Sequence, residues 1–465
     1  MVMRTLFDKI WDFHLVGQRS DGREMLYIDR HVVHELHAPH AFSALDLTRR
    51  SVRRKDLTIV LQDHTVPTRP GVPLQSAHID ATRIGAKRHG VRLVDVAEPE
   101  HGIVHVVSPE LGIALPGLTL ACPDSHASTV GALGCLAFGC GTSELGHVFA
   151  TQVMALSKPK QMRIHFSGKL SRGVSAKDVA LHLIRTVGTD AGRGHAVEYS
   201  GSVVRDMDIE ARMTLCNMTI EWGGRTCLIA PDEKSIAWCF GRPGTPSGPA
   251  WEESVAWWRT LATDAGAAFD DEVDIDCSAI APQITWGTDP AQTMAVTERV
   301  PGPLAFGQSS QTRTQSALDY MGLAPGAPIA GVVIDRVFIG SCSNSRLSDL
   351  RSAAVIVRGR KVAPGVKAVV VPGSSTVKRL AESEGLDEVF RSAGFEWHNA
   401  GCSMCAGANG DTGAPGERCV STSNRNFEHR QGRGVRTHLA SPAMAAAAAI
   451  AGCIVDVREL FAGEG

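Results

Sequence analysis

At 465 residues the chain is long enough for two or three packed domains, and 43% hydrophobic with 21% charged residues is a globular composition. A net charge of −2 with scattered basic residues excludes an electrostatic case for nucleic acid or for an acidic membrane surface. Aromatics are sparse at 5% and glycine frequent at 47 residues, which favours an α/β protein with many tight turns.

In chain order, Met1 to Gly17 is a charged amphipathic stretch (Leu6, Ile10, Trp11, Phe13, Leu15) without the apolar centre of a signal peptide. Twelve cysteines in so long a chain are neither dense nor regularly paired, so the expectation is a reducing, cytoplasmic protein without disulfides. His31, His34, His37 and His40 have helix-like spacing and read as a polar helix face, with His34-Glu35 able to approach a site. A strand over Leu57 to Leu61 leads to Asp63-His64, and His105 lies in Gly102-Ile103-Val104-His105. A second strand, Leu118 to Cys122, leads to Asp124-Ser125-His126 and a turn with Gly131 and Gly134. Asn217 and Glu221 are four apart, so a helix there puts both on one face. Composition shifts at Arg242 to Pro249, an exposed loop, and near Pro282 to Pro290, a domain junction.

The C-terminal half shows the clearest alternation. Val337 to Ile339 is a strand, Gly340 to Ser345 a turn and Leu347 to Val357 a helix; Lys367 to Val371, Pro372 to Ser375 and Thr376 to Glu384 repeat the pattern. This predicts parallel βαβ units, whose ligands bind beyond the carboxyl ends of the strands, where Cys342 sits. Ala443 to Gly452 is too short to span a bilayer and reads as a buried, Ala-rich helix. The predicted architecture is three α/β lobes, 1–162, 163–285 and 286–465.

Cys342, Cys402 and Cys405 each sit in a Gly/Ser-rich turn. Three ligands where a zinc site or an ordinary cubane uses four suggest an iron–sulfur cluster with one iron open to act as a Lewis acid. Spacing alone also allows a redox-active pair, a zinc site or buried thiols at Cys402 and Cys405. The Asp/His pairs are candidates for acid–base work, although Asp124-Ser125-His126 also suits a helix cap. In Ser421 to Gly434, Arg425 and Arg430 among small polar residues suit bidentate carboxylate binding, with an exposed polar loop as the bland reading.

Taken together, these motifs resemble the aconitase superfamily, most closely the large subunits of 3-isopropylmalate dehydratase (isopropylmalate isomerase). The resemblance runs through Tyr27 to His31, Asp63-His64, Gly102 to His105, Asp124 to His126, Met213 to Glu221, Gln283 to Thr288, Val337 to Arg346, Gly401 to Cys405 and Ser423 to Gly434. It implies an aconitase-like three-lobed α/β/α core with the cluster at the lobe interface, lacking a swivelling domain. It implies a [4Fe-4S] cluster on Cys342, Cys402 and Cys405, one iron having no protein ligand. The implied reaction moves the hydroxyl of a malate-type diacid to the adjacent carbon by dehydration and rehydration, in leucine biosynthesis. His64 paired with Asp63 is then the acid, with His105–Asp124 and His126–Glu221 as supporting pairs. Ser125, Asn217, Asn344, Asn424, Arg425 and Arg430 are the implied substrate- or cluster-side residues. A separate small subunit is implied to supply the base and a substrate-binding arginine, making a heterodimer or a larger assembly; neither a membrane nor a nucleic-acid partner is implied.

Several positions depart from the family pattern. Ala406, Gly407 and Ala408 follow Cys405, where Leu and Met are usual at the first and third of these positions. Pro123 replaces a glycine before Asp124, Ala127 follows His126, Pro67 is unusual, and His429 stands where glycine normally separates Glu428 from Arg430. The same chemistry on another alkyl- or arylmalate (homoaconitate, citramalate/citraconate or benzylmalate type) is therefore the alternative. Rivals from other classes are a cluster-free RNA-binding protein and a zinc-stabilised structural protein.

Overall fold

The computed structural model describes residues 3–461; Met1 and Val2, where the amphipathic stretch begins, and 462–465 lie outside the described residues. The stretch folds as a helix, Leu6–His14, started by the Thr5 hydroxyl accepting from the Asp8 amide and burying Leu6, Phe7, Ile10 and Trp11. Two compact units emerge. The first runs to Thr65 and includes Gln75–Gly168 and Asp190–Asp276; the second comprises Val66–Leu74, Lys169–Thr189 and the chain from Cys277 onward.

The first unit holds a parallel sheet of β1 (Arg30–His34), β2 (Thr58–Leu61), β3 (Arg92–Val94), β4 (Thr119–Cys122) and β5 (Leu136–Gly139), in the order β3-β2-β1-β4-β5. Its strands are apolar on both faces. Val32, Ile59, Leu61 and Leu120 pack towards Val104, Val107 and Val130, while Val33 and Val60 pack towards Phe42, Leu45, Leu145 and Phe149 on the opposite helices. The result is three layers, α/β/α. A second parallel sheet in this unit has the order β8-β7-β6-β9, from β6 (Lys160–Ser167), β7 (His195–Ser200), β8 (Thr226–Leu228) and β9 (Asp271–Asp276).

The second unit repeats the first topology with β10 (Arg336–Ile339), β11 (Lys367–Val370), β12 (Glu396–Trp397), β13 (Arg418–Ser421) and β14 (Arg436–Leu439), ordered β12-β11-β10-β13-β14 and all parallel. The expected helix at Leu347–Val357 is present, and the Ala-rich helix, Pro442–Ala451, packs against it and β10. Its methyl side chains permit that close approach. Among the described residues no helix is long and apolar enough to cross a membrane.

Two local expectations are corrected. His31 and His34 stand on β1, not on a helix; β-branched Val32 and Val33 favour the strand, and the helix Ala38–Leu47 begins only where Pro39 fixes its first turn. The helix through Asn217 stops there, and Met218–Trp222 is a tighter 3₁₀ turn closed by left-handed Gly223.

Candidate functional site

In both five-stranded sheets the chain runs outward from a central strand, returns, and continues on the other side. Ligands bind at such a reversal, beyond the carboxyl ends of the strands. In the first unit the reversal lies between β1 and β4. His34 ends β1 and Glu35 follows it, Asp63-His64 follows β2, and Asp124-Ser125-His126 follows β4.

Asp63 is fully buried; its Oδ1 lies 2.5 Å from His64 Nδ1, and its Oδ2 accepts the Val104 N–H at 2.9 Å. Burial would raise the Asp63 carboxyl, but the charge and hydrogen bond of His64 outweigh it and hold the group below the usual carboxylate range. Burial would likewise lower His64, yet Asp63, aided by Glu35 and Asp124, pushes it up to about 10. With Nδ1 committed to Asp63, the transferable proton is the one on Nε2. The His34 ring lies against His64, centroids 4.3 Å apart, and burial together with the His64 charge lowers His34 to about 3. A neutral ring thus backs a charged one.

Glu35 fixes the backbone of this corner. Its carboxylate accepts N–H groups from Asp63 (3.0 Å), His64 (2.7 Å) and Thr65 (2.6 Å), and the Thr65 hydroxyl at 3.1 Å. Asp124 organises the next corner. Its Oδ1 accepts the His126 N–H at 2.7 Å and lies 2.7 Å from His105 Nε2, while Oδ2 is 3.7 Å from His64 Nε2. Burial would raise Asp124, but His105 and His126 hold it well below the ordinary value. His126 Nε2 meets Glu221 Oε1 at 2.8 Å; burial opposes the charge, but Asp124 and Glu221 raise this imidazole. Ser125 Oγ is 3.5 Å from His126 Nδ1. Asn217 donates to Thr129 Oγ1 at 2.9 Å, so the 3₁₀ turn still brings Asn217 and Glu221 to the same segment. His31 takes no part here: it is buried against Thr58 Oγ1, and burial lowers it to about 4.

In the second unit the reversal lies between β10 and β13. Cys342 follows β10, Cys402 and Cys405 follow β12, and Asn424-Arg425 follows β13. Asn424 Nδ2 donates to Cys342 Sγ at 3.2 Å, and its Oδ1 is 3.5 Å from Cys405 Sγ; Ser341 Oγ is 3.1 Å from Cys405 Sγ. Ser341 (φ +84°) and Ser403 (φ +47°) hold left-handed backbone, the turn geometry that brings the cysteine loops round. Cys342, Cys402 and Cys405 are 7%, 6% and 7% exposed, whereas Cys419 on β13 is wholly buried and burial pushes its thiol up to about 12. Cys342 Sγ receives the Asn424 amide beyond the carboxyl end of a parallel strand, which suits a thiolate, and three thiols in polar turns beyond strand ends fit the donor set of an iron–sulfur cluster. Cys419 is a packing residue.

The turn that carries Cys342 is tied to the loop that carries Asn424 by a residue that sequence reasoning missed. Lys177, fully buried on the helix Ala176–Val187, donates to Ser423 O (2.7 Å), Thr422 O (3.2 Å) and Ser343 Oγ (3.3 Å). No local signal marks it, because that helix buries Lys177 and Asp178 beside its apolar residues. Asn344 donates to Asp349 Oδ1 at 2.9 Å, and Asn426 anchors the loop to Gly287 O at 2.7 Å. Arg425 and Arg430 are half-buried, and the Arg430 guanidinium lies over the Phe427 ring at 5.3 Å. His429 adopts φ +68°, a conformation that costs a non-glycine residue about 1–2 kcal/mol and explains why glycine suits this position. Its side chain is exposed, accepting from Gly434 N at 2.9 Å, and Ala408 is exposed as well.

Comparison with known proteins gives a structural likeness and a family match. The chain resembles the crystal structure of Thermococcus kodakaraensis aconitase X (holo-form) at 12% identity, covering 86% of this chain and 84% of that one, with a TM-score of 0.45. The sequence also matches the aconitase family (aconitate hydratase) over residues 8–452. Because that match runs from the N-terminal helix to the end of the Ala-rich helix, through both sheets and both sets of polar groups, the chain belongs to the aconitase family and is a protein of the hydro-lyase type.

Proposed function

We propose that this chain is the cluster-bearing large subunit of a hydro-lyase that interconverts 2-isopropylmalate and 3-isopropylmalate by dehydration and rehydration. The observation that carries the chemistry is that one chain holds both a proton-charged His64, backed by buried Asp63, and three thiols at strand ends in polar turns. Members of the aconitase family typically bind a [4Fe-4S] cluster, and Cys342, Cys402 and Cys405 are the residues that hold it in this reading. When bound, the cluster offers an iron that assists departure of the substrate hydroxyl as a Lewis acid.

The chain's own groups do the rest. His64 Nε2 delivers a proton to the leaving oxygen, and Asp63 keeps the ring in the required tautomer and charge state. The Asp124 carboxylate orients His105 and His126, and Glu221 fixes the far side of His126. Ser125, Asn217, Asn344 and Asn424 border the substrate or the cluster, and Arg425 and Arg430 bind carboxylates, Arg430 with its guanidinium already oriented by Phe427. A separate small subunit supplies the base that removes the carbon-bound proton and a further arginine.

The test is anaerobic co-expression with the candidate small subunit, analysis for iron and sulfide, and hydration of a panel of alkyl- and arylmaleates. Turnover of isopropylmaleate above all others supports the reading. Preference for a homoaconitate-, citraconate- or benzylmaleate-type acid moves the substrate while keeping the chemistry. Zinc without sulfide, or salt-dependent RNA binding without turnover, overturns it.

A further inference from the structure

After His64 the chain runs Thr65-Val66-Pro67-Thr68, and this short stretch is fastened at both ends to a carboxylate. Glu35 holds the N–H groups of His64 and Thr65. At the other end, fully buried Thr68 donates its hydroxyl to Asp411 Oδ2 at 2.7 Å. The same Asp411 oxygen accepts from Ser403 Oγ at 2.9 Å and Asn409 Nδ2 at 2.7 Å. Thr68 Oγ1 is 3.0 Å from Ser403 Oγ and 3.2 Å from His398 Nδ1. Main-chain contacts flank the node: Asn399 N donates to Thr68 O at 2.8 Å, and Asn409 Nδ2 to Val66 O at 2.9 Å.

Ser403 lies between Cys402 and Cys405 and carries the left-handed φ of their turn. One carboxylate oxygen therefore joins the ligand turn to the stretch that ends in His64. We propose that Thr68, Ser403 and Asp411 form a positioning node that couples occupancy of the Cys402–Cys405 turn to the order of the 64–68 segment. The node rests on the cluster reading above and adds a dependence that reading does not contain. Fixing the two sulfurs fixes Ser403, which keeps Asp411 in register for Thr68; an empty turn relaxes towards ordinary φ and loosens Thr68. A cavity of about 300 Å³, lined in part by Arg69, His398, Ser403, Asp411 and Thr412, leaves room for that movement. The coupling is reciprocal: loosening Thr68 also weakens cluster retention.

Hydrogen exchange of the full chain, with the cluster built anaerobically from iron and sulfide and then removed by a chelator, tests the node. In the wild type, removal speeds exchange of the amides of 65, 66 and 68 about tenfold, together with those of 403–411. Asp411→Asn and Thr68→Val give that fast exchange at 65–68 with the cluster still present, and lower kcat about tenfold at unchanged KM with the small subunit added. Thr68→Ser, which keeps the hydroxyl, behaves as the wild type. If Thr68→Val does not fold, near-isosteric Asp411→Asn decides. Exchange at 65–68 that ignores the cluster, or an Asp411→Asn protein that exchanges like the wild type, overturns the node while iron and sulfide analysis leaves the cluster reading standing. A chain that takes up neither iron nor sulfide overturns both.

Discussion

The two five-stranded parallel sheets share a strand order and place their polar groups beyond the same central reversal, but they arm it differently. In the first unit the groups are charged pairs that organise one another: Glu35 holds the backbone of Asp63 and His64, and Asp124 gathers His105 and His126. In the second unit neutral amide and hydroxyl groups, from Asn424 and Ser341, meet the sulfurs of Cys342 and Cys405, and Ser341 and Ser403 give the turns left-handed backbone. The topology supplies a place for chemistry and leaves its kind to a few loop residues. The acid–base site is pre-organised by its own carboxylates, whereas the thiol site is met by neutral amide and hydroxyl groups.

The contrast is tested most severely from the thiol side. Cys342→Ser should reduce iron and sulfide to background and lower activity by about 10³-fold or more, with the His64 corner intact. Retention of a full cluster would sink the ligand assignment. Next in size, His64→Asn should lower kcat by about 10²–10⁴-fold while iron and sulfide stay at wild-type levels. A parallel loss of cluster would mean that His64 acts on the thiol site rather than on the substrate.

The pH dependence probes the charged side of the contrast. His64 is raised from 6.5 to about 10, so its contribution to stability is complete below pH 6.5 and is lost as pH rises towards 10. Asp63 is depressed below 3.8, so its contribution is present above that value and is lost as pH falls through its lowered folded value. The pair therefore stabilises the fold most between pH 3.8 and 6.5. Chemical denaturation at pH 6 and 9 should show a loss of stability that Asp63→Asn largely removes, and the alkaline limb of kcat should shift downward in that variant. An unchanged limb would dissociate His64 from the limb. The smallest effect is expected at Cys419→Ala, about 1 kcal/mol of stability with iron and sulfide unaltered, read by urea unfolding and metal analysis.

Much of this arrangement is legible in the order of residues. Continuous apolar runs such as Val337 to Ile339, followed by Gly/Ser turns and helical periodicity, identify parallel βαβ units because both faces of such strands are buried. Residue order also places Cys342, Asp63-His64 and Asp124 to His126 just beyond strand ends. The four-histidine spacing misled, since spacing of three fits a helix while Val32 and Val33 put His31 and His34 on a strand. Lys177 and Asp411 carry no local signature, and Glu35 is legible only as a neighbour of the site, not as the group that holds its backbone. Each acts through backbone or hydroxyl groups far away in sequence.

The family, the sheet class and the reactive side chains are written locally in the chain, because apolar strands, turns and motif chemistry are properties of short segments. Folding settled that Asp124 also holds His126 and Glu35 the His64 backbone, why His64 carries its proton, and how Thr68 is tied to the Cys402–Cys405 turn. Those outcomes depend on burial and on hydrogen bonds between residues as far apart as Thr68 and Asp411, and such distances exist only once the chain has folded.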